Sequence, residues 1–399
     1  MKKSLFFALI LMGVLFYPAA IADATCMPYR SIVVVNRIGS AEKLFLAQLH
    51  KFGIPPANYS GIAKVSENRF AVVSDKEDGF YLFEIKTNKE KNQIISCTRG
   101  ELRNNPFPGD VTQNEQVEVP PIDSLSADSS SLNKLSVSNI PTTVKKMNII
   151  RGRDCEGIVY VPNRGTVFIS GEEDQRIIEY DTLGTPTGRE LAVPDLFSRQ
   201  NISPNYGFEA LAFDNLSGRF YTTTENTLPA DGPVASPDNH SPARLRIQSF
   251  GSDMQPAESY AYMTDAPVAN NLYSHYAFGV PAMYALSADT LLLLEREFFV
   301  GKSLEVIKSY VVNRLFKVVL SPKYEIAQGE LLHERSNELF LKKTLVYEWD
   351  TTFGAGIANY EGMCVAGVTP GGRPILYLIN DSQAGYKGVL KEFILMLAL

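Results

Sequence analysis

Five stretches of this chain follow one plan, and a plan repeated at that scale limits the fold more than any single residue can. They are SGIAKVSENRFAVVSDKEDGFYLFEI (Ser60–Ile85), CEGIVYVPNRGTVFISGEEDQRIIEYD (Cys155–Asp181), FEALAFDNLSGRFYTTTEN (Phe208–Asn226), VPAMYALSADTLLLLEREF (Val280–Phe298) and YEGMCVAGVTPGGRPILYLINDSQ (Tyr360–Gln383). Each starts on a small residue beside an apolar one and runs as a short strand into a turn (SENR, PNRG, NLSG, SADT, TPGG). The turn residues are those that favour tight backbone reversals. A second apolar strand then ends on an acid: Asp75, Glu172–Glu173, Glu225, Glu295 with Glu297, or Asp381. A third strand follows.

Short antiparallel strands in a repeating module predict an all-β chain folded as a β-propeller. One four-stranded blade cannot bury both faces, so each needs a neighbour. The length, 399 residues, predicts about six blades, with five to seven compatible. The first strand, Ser31–Ile38, is expected to pair with the last, Val389–Leu397, closing the ring and removing its edges. Asn104–Thr143, rich in Pro, Ser, Asp and Asn, reads as a surface insertion around 104–143. A β-sandwich is the competing architecture.

The first 24 residues carry Lys2 and Lys3, an apolar run from Leu5 to Tyr17, and Ala22-Asp23-Ala24 as a small-x-small site. This is the pattern of a cleaved secretory signal, leaving 25–399 as the propeller domain. The run is shorter than the roughly 20 apolar residues of a membrane span, so no stable membrane anchor is expected after cleavage. An exported protein, periplasmic or extracellular, can hold disulfides. Of Cys26, Cys97, Cys155 and Cys364, the pair Cys26–Cys97 is favoured because both flank the first strand group. The net charge of −6 and the lack of a basic cluster argue against a nucleic-acid partner.

In a propeller the first strand of each blade lines the central channel. Glu156, Glu209 and Glu361 hold aligned places at the start of that strand, where the first repeat has Ser60 and the fourth Pro281. The three should therefore meet at one rim, with Asp75, Glu172, Glu225, Glu295 and Asp381 near them. Carboxylates gathered this closely need a cation, a basic side chain or raised pKa values. Calcium suits them, since it takes six to eight oxygen ligands in flexible geometry. Lys76, Arg153 and Arg296 are built-in alternatives. Arg296 lies between Glu295 and Glu297 on a strand, so alternation sends it to the face opposite theirs. The same carboxylates could instead stitch neighbouring blades by accepting backbone N–H groups, and the residues leave both roles open. No GxSxG elbow, HExxH or P-loop is present, and His275 is the one histidine placed near a repeat start.

GFEALAF, LLLLEREFFVG, NYEGM and YLINDS, in that order, resemble the secreted bacterial family described as esterase-like activity of phytase. The matching stretches are Asn205–Phe213, Leu291–Phe298, Asn359–Met363 and Asn380–Ser382, with DCEGIVYV adding support from the first half. The resemblance implies a propeller and hydrolysis of phosphoesters or other esters. It does not extend to the acidic DDP-type calcium motif of the alkaline propeller phytases, which this chain lacks. The resulting expectation is a calcium-dependent hydrolase of a small anionic ester. Glu156, Glu209 and Glu361 would act as ligands or water-orienting groups, Asp75, Glu225, Glu295 and Asp381 as further ligands, and Arg296 would hold the anion. A non-catalytic binding or scaffold propeller is the alternative.

Overall fold

The small residue at the start of each repeat sits where the five innermost strands crowd around an axis. The computed structural model describes residues 39–104, 152–353, 356–385 and 390–399. Strand β1 (Glu42–Gln48) comes first. Blade one holds β2 (Tyr59–Lys64), β3 (Arg69–Ser74), β4 (Phe80–Asn88) and β5 (Gln93–Arg103). Blade two holds β6 (Cys155–Val161), β7 (Thr166–Gly171), β8 (Ile177–Tyr180) and β9 (Pro186–Glu190). Blade three holds β10 (Phe208–Asp214), β11 (Arg219–Thr224), β12 (Arg244–Phe250) and β13 (Pro256–Met263). Blade four holds β14 (Tyr273–Ser287), β15 (Thr290–Gly301), β16 (Tyr310–Val319) and β17 (Lys343–Thr352). Blade five holds β18 (Asn359–Val368), β19 (Pro374–Asp381) and β20 (Phe393–Ala398), with β1 as its outer strand.

The chain is thus an all-β propeller of five blades, not about six. The difference lies in blade four, whose strands run to 15, 12, 10 and 10 residues. One blade there uses the length allotted to a larger share of the ring. The ring is closed by strands from both ends of the described chain, as expected, but the N-terminal partner is Glu42–Gln48. It pairs antiparallel with β20 from Glu42↔Ala398 to Gln48↔Phe393. Ser31–Ile38, expected in that role, lies outside the described residues, as do the N-terminal apolar segment and nearly all of the insertion around 104–143. Among the described residues, helical structure is limited to short 3-10 turns, and no helix is long and apolar enough to cross a membrane.

Packing is between blades. Phe70 and Ile62 meet Tyr377 and Ile394 across the closing seam. Phe168 and Val159 meet Phe208 and Phe220 between blades two and three. Leu292 and Trp349 meet Met363 and Leu395 between blades four and five. Toward the axis there is no room for such side chains. A methyl group at Gly61 would lie 2.3 Å from the Glu156 carbonyl oxygen, and one at Gly157 would lie 2.5 Å from that of Glu209. One at Gly362 would lie 2.8 Å from the Gly61 Cα. Blades three and four place Ala210 and Ala282 at the corresponding position. The glycine following the glutamate in CEGI and YEGM is therefore a contact between backbones of adjacent blades.

Every inner strand also carries an irregularity at one place. Pairing skips Ser60 in β2, Glu156–Gly157 in β6, Glu209 in β10, Val280–Pro281 in β14 and Glu361 in β18. Such a bulge inserts a residue that the partner strand does not match and re-aims its side chain. In blades two, three and five that residue is the aligned glutamate.

Overpacking against backbone costs about 1–3 kcal/mol because the neighbour cannot rotate away. Gly157→Ala should destabilise the fold by about that amount in urea unfolding, whereas Gly165→Ala, a turn glycine with φ of 63° and nothing within 4 Å of an added methyl, should lose only about 1 kcal/mol through backbone strain. Equal midpoints for wild type and Gly157→Ala would contradict the packing account.

Candidate functional site

The five bulges lie at one mouth of the channel, and the ends of the second strands come up beside them. Glu225 follows β11, and its backbone bonds both neighbours: its N–H donates to Gly207 O (2.8 Å) and its carbonyl accepts from Val280 N (3.0 Å). This approach depends on Gly279, where a methyl group would lie 2.0 Å from the Glu225 oxygen and where φ is +157°. Gly279 pairs with Arg296 on β15. A Glu225 backbone held against β14 thus brings its carboxylate to the guanidinium. Arg296 Nη2 is 2.7 Å from Glu225 Oε1 and 3.5 Å from Glu361 Oε1, with both members of the closer pair 3% exposed.

Strand alternation around Arg296 holds. Glu295 and Glu297 face blade three. Glu295 accepts from Tyr262 Oη (2.5 Å), Asp265 N (3.0 Å) and Lys343 Nζ (2.7 Å). Glu297 accepts from Val268 N, Ala269 N and Tyr276 Oη. Both serve as struts between blades, and the structure does not bring Glu295 to the other expected ligands. Glu172 is also a strut, accepting the Gly207 N–H of the next blade at 3.1 Å. Glu392 does the same across the closing seam through Ala57 N (3.0 Å). Arg153 turns away to Asp174 (2.6 Å) and the Tyr180 hydroxyl (2.8 Å).

Glu156, Glu209 and Glu361 differ from these struts. All three are brought together within electrostatic reach of one another, yet no backbone N–H reaches any of their carboxylates among the described residues. Glu361 accepts only the Asn359 side-chain amide (2.6 Å) besides its contact with Arg296. Glu209 Oε2 is buried without a partner. Burial pushes the Glu156 carboxyl well above the usual range, and the negative neighbours Glu209, Glu361, Asp75 and Glu172 push it further. Glu209 rises for the same reasons, through burial first and then Glu225, Glu361 and Glu172, against the pull of Arg296. Glu361 rises through burial and then Asp381, again opposed by Arg296. Burial carries Glu225 and Asp381 each up to about 7, less far because Arg296 holds the first down and the Gln383 N–H the second.

On the blade one side of the mouth, Asp75, Asp154 and Glu156 each present a carboxylate oxygen, all within 4.8 Å of one another. Lys76 Nζ sits 2.6 Å from Asp75 and 3.1 Å from Asp154, with its side chain 65% exposed. Asp75 Oδ1 is buried without a partner. Asp154 was not among the expected residues. Its signal is its place two residues before Glu156, where Asn359 stands before Glu361, and it needs the left-handed backbone (φ 53°) that Asp tolerates. The donors are all carboxylate oxygens, the set that a hard cation such as calcium prefers. Lys76 occupies that position with its ammonium group and can swing out to solvent.

Asp75, Asp154, Glu156, Glu172, Glu209, Glu225, Glu361 and Asp381 thus face Lys76 and Arg296. Expected as anion-holder, Arg296 is engaged by Glu225 and Glu361 and acts as a counter-charge inside the mouth. His275 lies beside an apolar pocket between blades four and five. Cys97, Cys155 and Cys364 are buried free thiols, and Cys26 lies outside the described residues. Burial pushes the Cys97 thiol up to about 12.

Comparison with known proteins places this geometry in a lineage. A family model described as "Phytase-like: Esterase-like activity of phytase" matches residues 54–383. The chain belongs to this phytase-like family. The match runs from just ahead of blade one to Gln383 beside Asp381, so every mouth residue falls inside it. A search of curated proteins finds no match. Among solved structures, a luciferin-regenerating enzyme shares 9% identity at a TM-score of 0.36, over 89% of this chain and 95% of that one. A streptogramin B lyase shares 12% at 0.31, over 89% and 97%. Hydrazine synthase from Kuenenia stuttgartiensis shares 9% at 0.33, over 86% and 83%. Likeness at this level carries no argument about chemistry.

The raised carboxyls fix the sign of a pH effect. An acid whose folded pKa exceeds its unfolded one makes the folded state bind more protons, so stability falls as pH rises between the two values. For Glu225 the window runs from 4.5 to about 7, and for Asp381 from 3.8 to about 7. In the presence of EDTA the melting temperature of the phytase-like chain should therefore fall between pH 5 and pH 8. Glu225→Gln should flatten that slope, and an unchanged slope in this variant would assign it to other groups.

Proposed function

We propose that this phytase-like propeller is an exported, calcium-binding ester hydrolase whose chemistry takes place at the acidic mouth. The observation that carries the reading is the contrast among the acids. Glu172, Glu295, Glu297 and Glu392 are consumed by inter-blade hydrogen bonds, whereas Glu156, Glu209 and Glu361 are buried at the axis with no backbone donor. Leaving several buried carboxyls so poorly paired is costly for a purely structural role. The family's esterase-like description points the same way.

Asp75, Asp154 and Glu156 would hold the cation in place of Lys76, with Glu361 and Asp381 facing them across the mouth. A bound calcium ion would polarise the ester oxygen and lower the pKa of water beside it. The chain's own carboxyls supply proton transfer. In a group whose members push one another's pKa values apart, one member stays protonated while another is ionised. The ionised member takes a proton from the attacking water. The protonated member gives one to the leaving oxygen, so water and ester become acid and alcohol with the protons conserved. Glu156, Glu209 and Glu361 are the three in position for these roles, and Arg296 opposes the upward push on Glu209 and Glu361. The N-terminal apolar segment supports export to a compartment where calcium is available.

Calorimetry should show calcium binding to the wild type. Lys76→Gln, which removes the built-in competitor, should bind about tenfold more tightly. Purified protein should hydrolyse nitrophenyl phosphate or nitrophenyl butyrate with calcium and lose that activity in EDTA. Glu156→Gln and Glu361→Gln should each lower the rate by about a hundredfold or more. Calcium binding without turnover of either ester would leave a binding propeller. No calcium binding by wild type or Lys76→Gln would remove the cation from the account.

A further inference from the structure

Between blades four and five a cavity of about 350 Å³ opens beside the mouth. Three chain segments lead from residues of the mouth into its wall within two residues each. Arg296 leads to Phe298 on β15, Asp381 leads to Gln383, and Asn359 leads back to Ile357. Arg296 to Phe298 is two residues of β15, which span about 7 Å and return to the same face, so on that side the cavity begins one row of side chains from the site. Phe298 and Ile357, with Leu390 and Val300, form its apolar wall. Among the described residues no Asp, Glu, Lys or Arg lines it, and His275 is the one titratable group there, although the neighbouring mouth is crowded with charge. Its outer lip is apolar as well. Val306 is 39% and Phe353 38% exposed there.

The inner end is polar. Phe298 pairs with Val311, and one row deeper on the same face Arg296 pairs with Asn313, which pairs in turn with Trp349. Arg296 Nε, both amide atoms of Asn313 and Trp349 Nε1 are buried without partners. Buried polar atoms are rarely left so, and this row offers hydrogen-bond donors beside an apolar tube.

We propose that the substrate of the mouth is a carboxylic ester with an unbranched apolar acyl chain. The chain lies in this cavity and the ester carbonyl lies at the Arg296–Asn313 row, reached directly or through a buried water. This rests on the ester-hydrolase reading and narrows its substrate class. A phosphate ester fits less well, because Arg296 and Lys76 are both engaged by carboxylates and Arg199, a further cation near Glu172, is paired with Glu173.

The test separates occupancy from turnover. N-phenylnaphthylamine, a neutral dye that brightens in apolar surroundings, is bound to the full chain and displaced by straight-chain methyl ketones, which carry the carbonyl but cannot be hydrolysed. Each added methylene should lower the displacing concentration about fourfold until the cavity is full. Ser274→Trp fills the cavity from an exposed lining position, and Phe353→Asp places a charge at its lip. Both should abolish the chain-length dependence while melting like the wild type. In hydrolysis, kcat/KM for nitrophenyl esters should rise with acyl length in the wild type and stay flat in Ser274→Trp. Displacement that ignores chain length, or that survives in both variants, overturns the proposal. Chain-length-dependent displacement with no ester cleaved upholds the cavity assignment and instead removes the hydrolase reading.

Discussion

Five backbones meeting around an axis allow nothing larger than a methyl group at the point of closest approach, and the rest of the structure follows from that crowding. Gly61, Gly157 and Gly362 are small because the next blade's carbonyl or Cα lies where a Cβ would be. The residue just before each of them is displaced from the sheet register. In Glu156, Glu209 and Glu361 that displacement turns a carboxylate toward the mouth. The small residue and the glutamate are thus two results of the same geometry. The first satisfies the ring, and the second uses the opening that the ring creates.

The acids divide by what neutralises them. Those facing seams between blades are answered by backbone amides and a few cations, as Glu295 is by Asp265 N and Lys343. Those facing the axis meet one another. Among the described residues, Arg296 is the cation that reaches the centre of the group, from a face of β15 opposite to Glu295 and Glu297. A strand reading E-R-E therefore sends two charges into a seam and one into the mouth.

Much of this was legible in the chain. The repeats, the aligned positions Ser60 and Pro281 where the glutamate is missing, and the alternation around Arg296 all follow from spacing. What was not legible depends on pairing over long distances. SIVVVNRI at Ser31–Ile38 has every local mark of a strand, but Glu42–Gln48 is the strand that pairs with β20. The half-polar EKLFLAQ suits an outer strand, which buries little, and its role shows only once its partner is known. The blade count was overestimated because strand length is not uniform: β14 and β15 are about twice as long as β6 and β7. The strut role of Glu295 depends on Tyr262, 33 residues away and in blade three. Asp154 was missed because the residue at its aligned place in the last repeat is Asn359, so the acid does not recur, and its approach to Asp75 and Glu156 needs a left-handed backbone angle that spacing does not show.

The seam where β1 joins β20 links residues at opposite ends of the described chain, so the last blade is completed only after every other blade exists. Asp75 and Glu361 stand on either side of that junction, in blades one and five. A ligand bridging them can bind only to a closed circle, and its binding energy then acts as a clasp on the join. Any such ligand would therefore favour the closed ring over one in which β1 has left β20.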